Sequence, residues 1–251
     1  MKRNSFELEI CAANIQSVIA ADKGGADRVE LCDNLIEGGT TPSLGIISVA
    51  KEMASLDVFP MIRPRGGNFV YDDIEQEIML RDIKLAVERG ADGIVIGALT
   101  VNGAIDYDFC CRLIEAARGL PITFHRAFDQ CKQPFVALEI LISMGVKRLL
   151  TSGQKNKAID GVDLISMLQK SAANSLQVMP GSGIDENNIT KLAQQTGVKA
   201  FHASLRDIYK QEPVYTRSEV RFNGSKDLPE NQVKTSNIKR IKSIISEIER
   251  I

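Results

Sequence analysis

The stretch GADGIVIGALTVNGAIDYDFCCRLIEAARGLPITFHRAFD, residues 90–129, holds one complete strand–helix unit and the start of the next. GIVIGAL (93–99) has the length and β-branched content of a buried strand, and Asp106–Arg118 carries apolar residues at helical spacing. Gly119 then stands where a helix C-cap needs a left-handed residue, and ITFHRAF (122–128) is strand-like again. The same hinge recurs as GGADRVE (24–30), GADGIV (90–95), GVKRLL (145–150), GVKAFH (197–202) and, in a polar form, NSLQVM (174–179).

Strand-like runs at 6–12, 28–32, 58–63, 93–99, 122–128, 146–152, 176–182 and 198–204 alternate with helix-like stretches. These are Ile15–Lys23, Leu44–Ala54, Asp72–Arg89, Asp106–Arg118, Pro134–Met144, Gly161–Ser171, Glu186–Gln195 and Thr235–Arg250. Eight of each in 251 residues, about 30 residues per unit, predict an α/β fold, a (β/α)₈ TIM barrel occupying residues 1–251 as a single domain. A doubly wound open sheet is the alternative, but no G-x-G-x-x-G follows the first strand. From about 207 to 234 the chain is polar and too long for a plain linker, so it reads as a lid over the barrel mouth or a flexible crossover before the last helix.

Composition narrows the function. With 31 Lys+Arg against 32 Asp+Glu the net charge is -1, and a nucleic-acid binder would need a basic surface. No apolar run reaches the roughly 18 residues of a membrane span, and the N-terminal MKRNSFELEI carries acidic residues where a signal peptide would be apolar, so a cytoplasmic protein is expected. Five cysteines without C-x-x-C spacing indicate free thiols rather than a disulfide framework or a zinc knuckle. The two histidines, His125 and His202, must supply any imidazole chemistry.

Strand side chains alternate, and in a barrel the face toward the helices must be apolar. That phase sends Phe6, Leu8 and Ile10 outward and Glu7, Glu9 and Cys11 toward the axis. It turns Arg28, Glu30 and Cys32 inward on the second strand, Phe59, Met61 and Arg63 on the third, and His202 on the eighth, with His125 at the end of the fifth. Glu9, Glu30, Arg63, His125 and His202 are thus expected near the C-terminal ends of their strands, as a buried ion-pair network or as the lining of a wet pocket. Four rim segments add chemistry. CDNLIEGGTTPSLG (32–45) offers free amides and hydroxyls, and RPRGGNFVYDD (63–73) sets Arg63 and Arg65 beside a Gly pair in a form suited to an oxyanion. TFHRAFD (123–129) combines an imidazole, a cation and a carboxylate, and in MPGSGI (179–184) Gly181, Ser182 and Gly183 lead into a helix where barrels often cradle phosphate. Each Gly-rich segment is also what any tight turn needs.

The strings VELCDNLIEGGTTPSLG, MIRPRGGNFVYDDIEQEIMLRDI, GADGIVIGAL, TFHRAFD, LLTSG, MPGSGI and FHASLR, in this order from about Glu7 to Arg206, resemble the CutC family of copper homeostasis proteins. The resemblance implies a cytoplasmic (β/α)₈ barrel, a homo-oligomer and often a dimer, linked to copper tolerance and to copper(I) binding. It also implies that the cysteine of the ELC motif, here Cys32, is a copper ligand.

The residues support two kinds of function. Copper(I) prefers thiolate and imidazole ligands, and Cys11 and Cys32, in phase on adjacent strands about 4.8 Å apart, form the thiol pair that could share one ion. The same cysteines could equally be small buried hydrophobes. Cys110, Cys111 and Cys131 lie away from them and read as core residues. Against a carrier stand the oxyanion-binding candidates Arg63, Arg65, Gly181, Ser182 and Gly183. These suit an enzyme acting on a small phosphorylated or carboxylated metabolite, with Glu30, His125, Glu9 and His202 as catalytic candidates.

Overall fold

The computed structural model describes residues 6–209, 215, 217, 219–220 and 232–250. Its core is a ring of short parallel strands: β1 (Glu7–Ala12), β2 (Arg28–Leu31), β3 (Asp57–Pro60), β4 (Ile94–Ile96), β5 (Ile122–Phe124), β6 (Arg148–Thr151), β7 (Gln177–Pro180) and β8 (Ala200–Ala203). They hydrogen-bond in the orders β3-β2-β1-β8 and β4-β5-β6-β7. A parallel bridge between Met61 and Val95 joins the two halves on one side, and β7 lies beside β8 on the other. The helices α1 (Ile15–Gly24), α2 (Leu44–Met53), α3 (Asp73–Glu88), α4 (Tyr107–Ala116), α5 (Pro134–Ser143), α6 (Val162–Ala172), α7 (Ile189–Thr196) and α8 (Ile238–Ile248) complete the expected TIM barrel.

Local sequence explains where these elements start and stop. Asn14 caps α1 by accepting from the Ser17 amide, and Asp72 and Glu75 form a reciprocal capping box at the start of α3. The recurrent hinge glycine works as the pattern implies. Gly25 (φ +88) and Gly197 (φ +71) end α1 and α7 in the left-handed region, where a side chain would be strained. None of the described helices is long and apolar enough to cross a membrane.

One feature was not legible beforehand. At the ends of the long polar connection, β9 (Arg206–Tyr209) and β10 (Val233–Ser236) pair antiparallel, which ties the chain back beside the barrel before α8. The choice between lid and crossover falls on residues that lie, for the most part, outside those described.

The barrel has two apolar layers. Leu8, Ile10, Val29, Leu31, Phe124 and Phe201 pack outward against the helices, whereas Cys11, Cys32, Phe59, Met61 and Val95 fill the interior. The Phe59 ring occupies the axis between two cations, with the Arg28 and Arg148 guanidiniums each 5.1 Å from its centroid. Gly93 lies flat against that ring, and a methyl group at this position would overlap it. Gly93→Ala is therefore expected to lower the urea-denaturation free energy by about 1–3 kcal/mol; an unchanged midpoint would show that the ring has room to move.

Candidate functional site

Parallel register builds the site from the bottom of the barrel upward. Glu9 is level with Arg28 on β2 and with His202 on β8, so three inward side chains share one tier. Arg28 Nε donates to Glu9 Oε2 at 2.5 Å, and His202 Nδ1 donates to Glu9 Oε1 at 2.7 Å. Both Glu9 oxygens are thereby used, the residue has no solvent exposure, and it does not line the cavity above. Burial alone would raise its carboxyl, but Arg28 and His202 outweigh that and hold it at about 2. Among the sequence candidates, Glu9 thus stands beneath the site and orients His202.

Cys11 and Glu30 are level with each other one tier higher. Glu30 Oε2 lies 3.7 Å from His202 Nε2, and Glu30 Oε1 is buried without a hydrogen-bond partner. Burial, opposed by the nearby His202, pushes the Glu30 carboxyl up to about 7. For His202, burial works against the charged form, yet Glu30, Cys11 and Glu9 together raise it well above the ordinary histidine value. Near neutrality His202 is therefore held charged beside a Glu30 carboxyl that is close to its own titration point. Cys11 Sγ is 3.7 Å from Cys32 Sγ, and both thiols are free and buried. The Cys32 contact first, then burial, drives the Cys11 thiol well above its ordinary value. Two overlapping groups of metal-ligand atoms result, Cys11 with Glu30 and Cys32, and Glu9 with Glu30 and His202, each within 4.8 Å.

The cavity over this floor measures about 340 Å³, and Cys11, Glu30, Arg63, His125, Ser182, Gly183 and His202 reach it. The structure gives the remaining candidates different surroundings from those their spacing suggests. Arg63 donates through Nη1 to the Glu37 and Gly39 carbonyls at 2.7 and 2.6 Å and through Nη2 to Gly67 O at 2.9 Å, so it clasps the loops after β2 and β3 together. Arg65 turns away from the cavity and binds Glu75 bidentately at 2.5 and 3.0 Å, which fixes the start of α3. Gly181 sits under the rim, where a Cβ would meet Leu150 and, at 3.2 Å, the His202 ring. The Gly181–Gly183 turn does not open directly into a helix, since α7 begins only at Ile189. His125 is buried, its Nδ1 accepts from the Ala127 amide at 3.1 Å, and burial together with the Arg63 charge lowers it to about 3.

Three cations escaped the sequence reading of the site. Arg148 enters the barrel floor from β6 in the same alternating phase that placed Arg28, so extending that phase to β6 would have found it. Arg126 and Arg206 line the mouth. Arg126 was visible only as the cation of TFHRAFD, and Arg206 only as the last residue of FHASLR, because loop conformation rather than strand phase aims them.

A profile of the CutC family matches residues 6–207. The chain belongs to the CutC family. It is 42% identical over 241 residues to the human copper homeostasis protein cutC homolog, covering 96% of this chain and 88% of that one. It is 48% identical over 219 residues to a CutC family protein of Parabacteroides distasonis, covering 87% and 90%. The crystal structure of a putative copper homeostasis protein CutC from Streptococcus agalactiae superposes with a TM-score of 0.75 at 40% identity, over 79% of this chain and 98% of that one. A phosphoribosylanthranilate isomerase from Pyrococcus furiosus, at 13% identity and a TM-score of 0.58, shares the fold alone.

Two outcomes follow for this CutC-family barrel. Arg28→Met leaves Glu9 buried beside a single partner and should cost about 3–5 kcal/mol in chemical denaturation, most of it regained in Arg28→Met/Glu9→Gln; a loss under about 1 kcal/mol would mean that water reaches the tier. His125 stays neutral in the folded chain down to about pH 3, whereas an unfolded histidine binds its proton near 6.5. Its contribution is complete above pH 6.5 and is lost as pH falls toward 3. The stability gap between the native protein and His125→Gln should accordingly narrow by about 2 kcal/mol from pH 7 to pH 5, and a constant gap would refute it.

Proposed function

We propose that the protein takes part in copper homeostasis by binding copper(I) through Cys11 and Cys32 at the floor of the barrel mouth. The observation that carries this reading is the 3.7 Å separation of the two sulfurs, with Cys11 reaching the cavity and Cys32 1% exposed behind it. Copper(I) favours soft thiolate donors, and Phe59, Met61 and Val95 pack with the two cysteines in one apolar cluster. At about 2.3 Å per bond, the length of a zinc–thiolate bond, a linear site would hold the sulfurs about 4.6 Å apart. The observed pair is closer, which suits an ion bound at a bend, with Glu30 as a third donor. The names of the relatives, which refer to copper homeostasis, support the same reading.

Binding must displace thiol protons, so apparent affinity should rise with pH. Titration of copper(I) against a competing chelator tests the proposal. A single ion per chain is expected, with affinity falling at least tenfold, about 1.4 kcal/mol, in Cys11→Ala and in Cys32→Ala, but not in Cys110→Ala. Weak binding by the native protein, or affinity unaffected by both changes, would refute it.

A further inference from the structure

Copper at the thiol pair leaves the loops after β5, β7 and β8 unexplained, where several hydrogen-bond donors belong to residues lining one cavity and have no acceptor among the described residues. His125 Nδ1 accepts from a main-chain amide, which fixes its hydrogen on Nε2; His125 lines the cavity, and its Nε2 is buried with no partner among the described residues. Arg206, which lines the cavity, follows Leu205, a bulky residue held at φ +47. Arg206 has a buried Nε without a partner and forms no ion pair among the described residues. Arg126 donates Nε to Asp129 and Nη2 to Ser152, each at 2.8 Å, and Nη2 also to Lys155 O at 3.3 Å, while Nη1 has no partner among the described residues. Ser182 and Gly183 take successive left-handed conformations (φ +81 and +70), held by a 2.7 Å hydrogen bond from Ser182 Oγ to Asn156 O. The main-chain N–H groups of Ser182, Gly183 and Ile184 donate to nothing among the described residues. A non-glycine residue strained into this region beside a cavity is a feature usually tied to ligand contact.

We propose that the loops after β5, β7 and β8 bind the phosphate of a small phosphate monoester. Arg206, Arg126 and the Ser182–Ile184 amides hold the phosphate oxygens, and His125 Nε2–H donates to a hydroxyl or carbonyl oxygen elsewhere in the same molecule. Charge selects phosphate over a monocarboxylate. Arg63 and Arg206 have no carboxylate partner among the described residues, Arg126 is offset by Asp129, and His202 and Glu30 offset each other at the floor. Two uncompensated positive charges match the charge of about -1.5 to -2 on a phosphate monoester. The donors belong to the loops after β5, β7 and β8, and the rim after the last two strands is where barrels commonly hold phosphate. A cavity of about 340 Å³ is at the small end of ligand sites and suits a sugar phosphate rather than a nucleotide.

This site is independent of the copper reading, and the test separates them. Isothermal titration of the full chain with ribose 5-phosphate, glycerol 3-phosphate and succinate is compared for the native protein, Arg206→Ala, Arg206→Lys and Cys32→Ala, with thermal unfolding of each unliganded protein as the control. Saturable binding of a phosphate ester is expected, weakened at least tenfold in Arg206→Ala at an unchanged unfolding temperature, weakened less in Arg206→Lys, and retained in Cys32→Ala. Absence of saturable binding at millimolar ester, equal affinity in both Arg206 variants and the native protein, or tighter binding of succinate than of either ester would overturn the proposal.

Discussion

A carboxylate with no exposure sets the terms for this barrel. Glu9 is stable in its ionised form only because Arg28 and His202 approach it from the two neighbouring strands at 2.5 and 2.7 Å. Taking such charges out of water costs several kcal/mol per ion before pairing repays it, so the tier is a poor source of net stability. Its consequence is register. A slip of β1 by one residue would swing Glu9 into the apolar layer beneath the helices and bring Leu8 or Ile10 against the guanidinium. The placement of Cys11, two residues beyond Glu9, follows from the same lock.

The tier also prepares the chemistry above it. Glu9 takes the Nδ1 hydrogen of His202, which leaves Nε2 directed at Glu30, 3.7 Å away. Buried together, these two groups flank the thiol pair, and the closeness of the sulfurs in turn keeps the Cys11 thiol protonated. Arg63, clasping three carbonyls, holds the loops after β2 and β3 in place and lends positive charge to the mouth. Cys11 and the unpartnered donors of the loops after β5, β7 and β8 thus belong to the lining of one cavity.

Much of this was legible in the sequence because period-two alternation and parallel neighbourhood are strong constraints. Eight repeated units, the inward phase of Glu9, Arg28, Glu30, Cys11, Cys32 and His202, and the adjacency of the two thiols all follow from them. What strand phase does not govern was not legible. Arg63 and Arg65 look alike two residues apart, yet loop geometry gives one to main-chain carbonyls and the other to Glu75. Arg206, which lines the mouth, follows the left-handed Leu205, and β9 pairs with β10 across a sequence separation that no local pattern encodes.

In the function proposed for it, this fold meets copper at the Cys11–Cys32 pair. X-ray absorption at the copper edge of the copper(I)-loaded full chain tests it most directly. Two sulfur neighbours in the first coordination sphere are predicted; a sphere of nitrogen and oxygen alone would contradict the account.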